Sequence, residues 1–123
     1  MSDLLSIEAL RLSMNIAATQ QRLALENIAS HSISNAGSQR ADFSTLLAEV
    51  NALPAEQRAQ VISNLSSQWQ EVESSYIQQS HKKATLDEEV ALSMKASGSY
   101  RKLAEVLNRK LGLMNLAISG GKR

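Results

Sequence analysis

Cysteine is absent from the 123-residue chain, which removes disulfides, thiolate metal sites and a thiol nucleophile from consideration. Aromatic residues make up only 3%, against 43% apolar residues in all. The apolar content is therefore mostly Leu, Ala, Ile, Val and Met, a composition that favours helix over sheet. A single proline, Pro54, and only 5 glycines leave long stretches free of helix breakers. Excess charge of either sign is missing too. The 13 basic and 12 acidic residues leave +1, too weak a field to draw in nucleic acid or an anionic membrane. No stretch approaches the ~20 apolar residues of a membrane span, so no direct membrane insertion is expected. The amino-terminal MSDLLSIEALRLSMNIAATQ carries Asp3 and Glu8 where a signal peptide would carry positive charge.

What is present is helical periodicity. In the first segment Ile7, Leu10, Met14, Ala17, Gln21, Ala24 and Ile28 follow spacings of three and four, a heptad seam. Leu5, Leu12, Ile16, Leu23 and Leu25 lie off that seam and widen the apolar surface, so this helix is expected from about Asp3 to Ser30, touching more than one neighbour. It should end in SHSISNAGSQ, whose short polar side chains compete for backbone hydrogen bonds. Phe43, Leu46, Leu47 and Val50 then share one side of a short helix. Pro54 is placed as the first residue of a middle helix running to about His81, with the stripe Ile62, Leu65, Trp69, Val72 and Tyr76. The other faces of that helix are Gln, Ser and Glu, so it is expected to be more exposed than its neighbours.

Thr85-Leu86-Asp87-Glu88 fits the S/T-x-x-E capping box, and Asp87, Glu88 and Glu89 suit the positive end of a helix dipole. A final helix is expected from Leu86, with the seam Val90, Ser93, Ser97, Tyr100, Ala104, Leu107, Leu111, Met114 and Ile118. A second row holds Leu92, Ala96, Leu103, Val106, Leu113 and Ala117, and Gly120-Gly121 closes the helix. The reading divides the chain into 1–36, an N-terminal helix and turn; 37–84, a hinge segment and middle helix; and 85–123, the C-terminal helix. It is an all-α fold whose long terminal helices pair as an antiparallel, coiled-coil-like hairpin around a more polar helical middle. Ile7, Leu10, Met14, Ala17, Ala24, Ile28, Val90, Tyr100, Leu107, Leu111, Met114 and Ile118 are the expected subunit-packing positions. The apolar width of the two terminal helices exceeds what one polar middle helix covers, and at about 25 cal/mol per Å² such area drives assembly.

Two terminal heptad helices with a polar break after the first resemble the axial proteins of the bacterial flagellum, and specifically the proximal rod (FlgB) family of the basal body. That family carries N-I-A-N-A-x-T-P-G-Y near the end of its first helix, followed by R-x-x-D-F. Here Asn27-Ile28-Ala29 resembles the start, Asn35-Ala36-Gly37 the turn, and Arg40-Ala41-Asp42-Phe43 the close. Leu86-Asp87-Glu88-Glu89, Ser99-Tyr100-Arg101, Leu111-Gly112-Leu113-Met114-Asn115 and Gly120-Gly121 follow the order of the family's C-terminal helix. The T-P-G-Y core is missing, Ser30 stands where a second Asn is usual, and the centre is unmatched. The resemblance implies a hinge made by Asn27, Ile28, Ala29, Asn35, Gly37, Arg40, Asp42 and Phe43. It also implies a structural rod subunit, exported through the flagellar type III channel without a cleaved signal peptide to the periplasmic rod. The implied partners are copies of itself, other rod proteins, the export apparatus and the rod-base adaptor.

A helical adaptor or export chaperone that binds a partner helix is the alternative from another class. Catalysis is not expected, for there is no nucleophile–base constellation or phosphate loop. No cofactor or metal is expected either. His31 and His81 stand fifty residues apart in polar stretches without a clustered carboxylate. Arg101-Lys102 and Arg109-Lys110 read as charged flanks of a partner-facing helix. Ser93, Ser97 and Gly98 are either a weak point in the last helix or a place where another helix approaches closely, Gly98 costing ~1 kcal/mol against Ala.

Overall fold

A computed structural model describes residues 2–33, 37–80 and 82–120. Among them the order is α1 (Ser2–Ser30), β1 (Gln39–Ala41), α2 (Ser44–Asn51), α3 (Ala55–Ser67), α4 (Trp69–Ser74), β2 (Ile77–Gln79) and α5 (Leu86–Gly120). The protein is mostly helical, and the long C-terminal helix packs on the N-terminal one. At the standard rise α1 is ~43 Å long and α5 ~52 Å. Both begin and end within a residue or so of the sequence expectation. The Thr85 cap is formed: its Oγ1 accepts the Glu88 N–H at 3.2 Å. Gly121, Lys122 and Arg123 lie outside the described residues.

The middle segment departs from expectation. Instead of one helix from Pro54 to His81, α3 stops at Ser67, Gln68 leaves helical geometry (φ −118°, ψ 28°), and α4 ends at Ser74. Serine chemistry lowers the barrier to both breaks. Ser67 Oγ donates to the Asn64 carbonyl at 2.9 Å and Ser74 Oγ to the Glu71 carbonyl at 2.8 Å, local bonds that compete with helix propagation at the doublets Ser66-Ser67 and Ser74-Ser75. Pro54 stands just before α3, its carbonyl accepting the N–H of Gln57 at 2.9 Å and of Arg58 at 3.2 Å.

Nor is the chain purely helical. Ile77–Gln79 pairs antiparallel with Gln39–Ala41, in the register Gln39 to Gln79, Arg40 to Gln78 and Ala41 to Ile77. The residues one step beyond each end are also bonded: Ser80 N–H to Ser38 O at 2.9 Å and Asp42 N–H to Tyr76 O at 3.1 Å. This ladder returns the chain from the middle helices to the end of α1, and so sets where α5 begins.

The core lies beside α1, not along its whole length. Leu12, Phe43, Leu46, Val50 and Ile62 are buried together, with Ile16, Leu65, Trp69, Val72 and Tyr76 packed around them. Phe43 stacks in tilted geometry on Trp69 (centroids 5.3 Å apart) and Tyr76 (5.5 Å). The break at Gln68 turns the chain so that both rings reach the same phenyl group. The expected stripe is thus real, but it is wrapped around Phe43 rather than laid along a straight rod. The expected order of exposure holds against α1, which buries Ile7, Leu12, Ala17, Leu23 and Ala24 where α3 and α4 bury only Ile62, but α5 is no better covered, burying only Glu89 and Ala96 among its described side chains.

Candidate functional site

Among its described residues, the segment after α1 that the sequence marks as a hinge is fastened rather than loose. Asn27, 8% exposed, donates from Nδ2 to the Gln39 carbonyl and accepts the Gln39 N–H at Oδ1, both at 3.0 Å. One side chain on the last turns of α1 therefore satisfies both backbone groups on one side of the first residue of β1. Next in line, Arg40 Nη2 meets Glu89 Oε1 of α5 at 2.8 Å, and its Nη1 donates to the Gln39 carbonyl at 3.0 Å. Glu89 is fully buried, and neither of its oxygens accepts a well-aligned hydrogen bond, so this contact is chiefly coulombic. Ser38, 6% exposed, adds a further stitch by accepting the Ala84 N–H at Oγ, 3.0 Å away. Three elements, α1, β1 and α5, are joined within three consecutive residues, 38–40.

Glu89 corrects the sequence reading, which gave all three acids at the start of α5 to the helix dipole. Asp87 and Glu88 are exposed and fit that role, but Glu89 points inward. Its place was legible in hindsight, since it shares the i, i+7 line of buried Ala96 and half-buried Leu103.

Of the other hinge positions, Phe43 is in the core and Asp42 turns the chain into α2, its Oδ1 accepting the Ser44 N–H at 3.0 Å. That bond, with a second from the Ser44 hydroxyl, holds the exposed Asp42 carboxyl below its ordinary 3.8. Ile28 and Gly37 are half-buried, and Gly37 offers its carbonyl to Gln79 Nε2 at 3.3 Å. Ala29 is exposed, and Asn35 lies outside the described residues, as does His81. His31 gives its carbonyl to Lys83 Nζ.

A second fastening went unforeseen. Thr19, 2% exposed, accepts Trp69 Nε1–H at 2.9 Å and donates to Glu73, whose other oxygen meets Arg22 Nη2 at 3.0 Å. Arg22 also pairs with Glu26 at 3.2 Å. The network ties α4 to the middle of α1. A lone buried Thr on a helix face carries no sequence signal for a partner fifty residues away.

The expected packing positions divide by helix. On α1, Ile7, Ala17 and Ala24 are buried and Leu10, Met14 and Ile28 half-buried, while off-seam Leu12 and Leu23 are among the most buried because they face away from that seam. On α5, Leu107, Leu111 and Met114 are half-buried, but Val90, Tyr100 and Ile118 are exposed. Leu92, Met94, Val106, Leu113 and Leu116 add to that exposed apolar surface. Gly98 and Gly112 have no atom within 4 Å of where a Cβ would stand, so no close helix approach uses them within the chain.

Where β1 crosses the terminal pair, a cavity of about 180 Å³ opens between α1 and α5. Leu23, Ala24, Ala41, Leu92 and Ala96 form its apolar wall, and Lys95 stands among its polar lining groups. Among the described residues no three His, Cys, Asp or Glu are grouped to hold a metal ion, and no helix is long and apolar enough to cross a membrane. Compared with family models, curated proteins and solved structures, the chain matches none.

Proposed function

We propose that this chain is a structural subunit of the bacterial flagellar basal-body rod that polymerises through its terminal helices and passes torque to the hook. The observation that carries the reading is uncovered surface. The chain exposes 8303 Å², whereas a folded monomer of 13.4 kDa exposes about 6,500 Å². Much of the large apolar side-chain exposure lies on one element, α5, where Met94 is 69%, Leu113 64%, Leu116 69% and Ile118 60% exposed. Burying such surface stabilises by roughly 25 cal/mol per Å² only when a neighbour supplies the cover.

In this reading α1 and α5 run antiparallel as a hairpin. Gln20, Leu23 and Ala24, late in α1, line the same cavity as Leu92, Lys95, Ala96 and Ser99, early in α5, which favours that arrangement. The resemblance of Asn27-Ile28-Ala29 and Arg40-Ala41-Asp42-Phe43 to the rod family supplies the rest. Asn27 and Arg40 among them fasten the hinge, so the resemblance includes two positions with a mechanical role. The partners are then copies of the chain and its rod relatives, reached by way of the export apparatus and rod-base adaptor, and the site of action is the periplasmic rod. Nothing in the reading requires catalysis.

The test is cross-linking in intact cells from Leu113→Cys, on the exposed face of α5. Capture of rod or export-gate components is the expected result. Capture confined to a cytoplasmic client would replace the reading with that of an adaptor or export chaperone.

A further inference from the structure

We infer that the cavity between α1, β1 and α5 is a socket for the Leu86–Asp87 step of a second copy of this chain. The inference rests on the polymerising reading above and names one contact that would serve it. The cavity has a volume of about 180 Å³. An apolar cavity of ~150 Å³ accommodates benzene, so there is room for one branched aliphatic side chain. Its wall is apolar, and Leu23 and Ala24, each 2% exposed, form its closed side. Two cations stand in the lining, Arg40 and Lys95, but only one is engaged. Arg40 is held by Glu89, whereas the Lys95 side chain makes no hydrogen bond or ion pair among the described residues. The socket therefore asks for a bulky apolar side chain directly beside a carboxylate.

At consecutive positions the described surface offers that combination at Leu25–Glu26, Glu105–Val106 and Leu86–Asp87; one helical turn apart it recurs at Asp87–Val90, which shares the same carboxylate, and at Glu88–Leu92, whose leucine is already part of the socket wall. Glu26 is taken by Arg22 at 3.2 Å and Glu105 by Arg109 at 3.4 Å. Asp87 has no such partner among the described residues, and Leu86 beside it is 45% exposed. Leu86 cannot fill the socket of its own chain, because it lies on the same rigid helix as Leu92 and Lys95, ~9 Å before the first of them along the axis. Each copy thus presents one step and one socket at different places, the arrangement from which open assemblies are built.

The test is sedimentation velocity on the full chain over a range of concentrations. Asp87→Lys alone and Lys95→Asp alone each set like charges face to face and should weaken self-association by about tenfold or more. An equimolar mixture of the two should restore it, since each variant's step then meets the other's socket with opposite charge. Ala96→Leu, which fills the hole, should also abolish the association while leaving the helical circular dichroism spectrum in place. Self-association indifferent to both reversals overturns the socket and leaves the rod reading standing. A chain that stays monomeric throughout overturns the socket and the polymerising reading together.

Discussion

Asn27 grips Gln39 from both directions, giving a proton to its carbonyl and taking one from its N–H, each across 3.0 Å. A primary amide is the side chain that can do both at once, which gives the asparagine at the end of α1 a physical reason. Replacing it by alanine strands the Gln39 N–H at the edge of the core and leaves the Gln39 carbonyl to Arg40 Nη1 alone. We expect Asn27→Ala to cost about 2–3 kcal/mol, read as a lower urea midpoint at unchanged slope. Asn27→Asp should do no better, since it keeps the acceptor but sets a negative charge against the Gln39 carbonyl.

Arg40 and Glu89 form the costlier joint, because a fully buried carboxylate depends on a single cation. Arg40→Met should destabilise by about 2–4 kcal/mol, short of the largest effects because Arg40 itself is partly exposed. Adding Glu89→Leu to that variant should recover most of the loss, since a buried ion pair exchanged for apolar groups is often neutral. A thermal melt of the three proteins checks this. A double variant no better than Arg40→Met alone would show that the carboxylate has a further role.

Asp42 ties stability to acid. Its carboxyl titrates below 3.8 in the folded chain because the Ser44 N–H, and secondarily the Ser44 hydroxyl, bind its ionised form. The unfolded chain then takes up the proton more readily. The contribution is complete above the unfolded-state value, declines as pH falls through the folded one, and is gone below both. The difference in melting temperature between the wild type and Asp42→Asn should therefore be largest near neutrality and shrink in strong acid.

Gly98 and Gly112 stand over open space on α5. Alanine at either position meets nothing and restores helix propensity, so Gly98→Ala and Gly112→Ala should each stabilise the isolated chain by up to ~1 kcal/mol. Urea denaturation is the measurement. The weak-point reading of Gly98 then holds for the chain alone. If the stabilised variant is refused by the assembled structure in cells, a neighbour's backbone comes close there.

The terminal helices were legible because their signals are local and repeated: a three-four spacing kept over seven residues in α1, a capping box at Thr85, glycine at the far end of α5. The middle was misjudged for the opposite reason. Serine doublets weaken a helix only slightly, and whether Ser66-Ser67 breaks it depends on what lies beyond. Here the gain is the stacking of Trp69 and Tyr76 on Phe43, a contact set by tertiary structure. The strand Ile77–Gln79 is three residues long, too short for any alternation to show. In the candidate hinge the sequence marks Asn27, Arg40, Asp42 and Phe43, but it does not pair Asn27 with Gln39, and it assigns Glu89, the partner of Arg40, to the helix dipole. A resemblance marks residues one at a time, while a hydrogen bond needs two.

The core, the Thr19 network and the Asn27–Arg40–Glu89 joint all engage α1 from Leu12 onward or the first turns of α5. Past Ser99 the longest helix in the molecule has α1 as its principal support. Opening should accordingly run like a zip from the Gly120 end, with amide exchange slowing turn by turn toward Glu89. A pull on the carboxy-terminal end would peel the chain apart in small instalments, and the same pull on the middle segment would meet the whole lock at once.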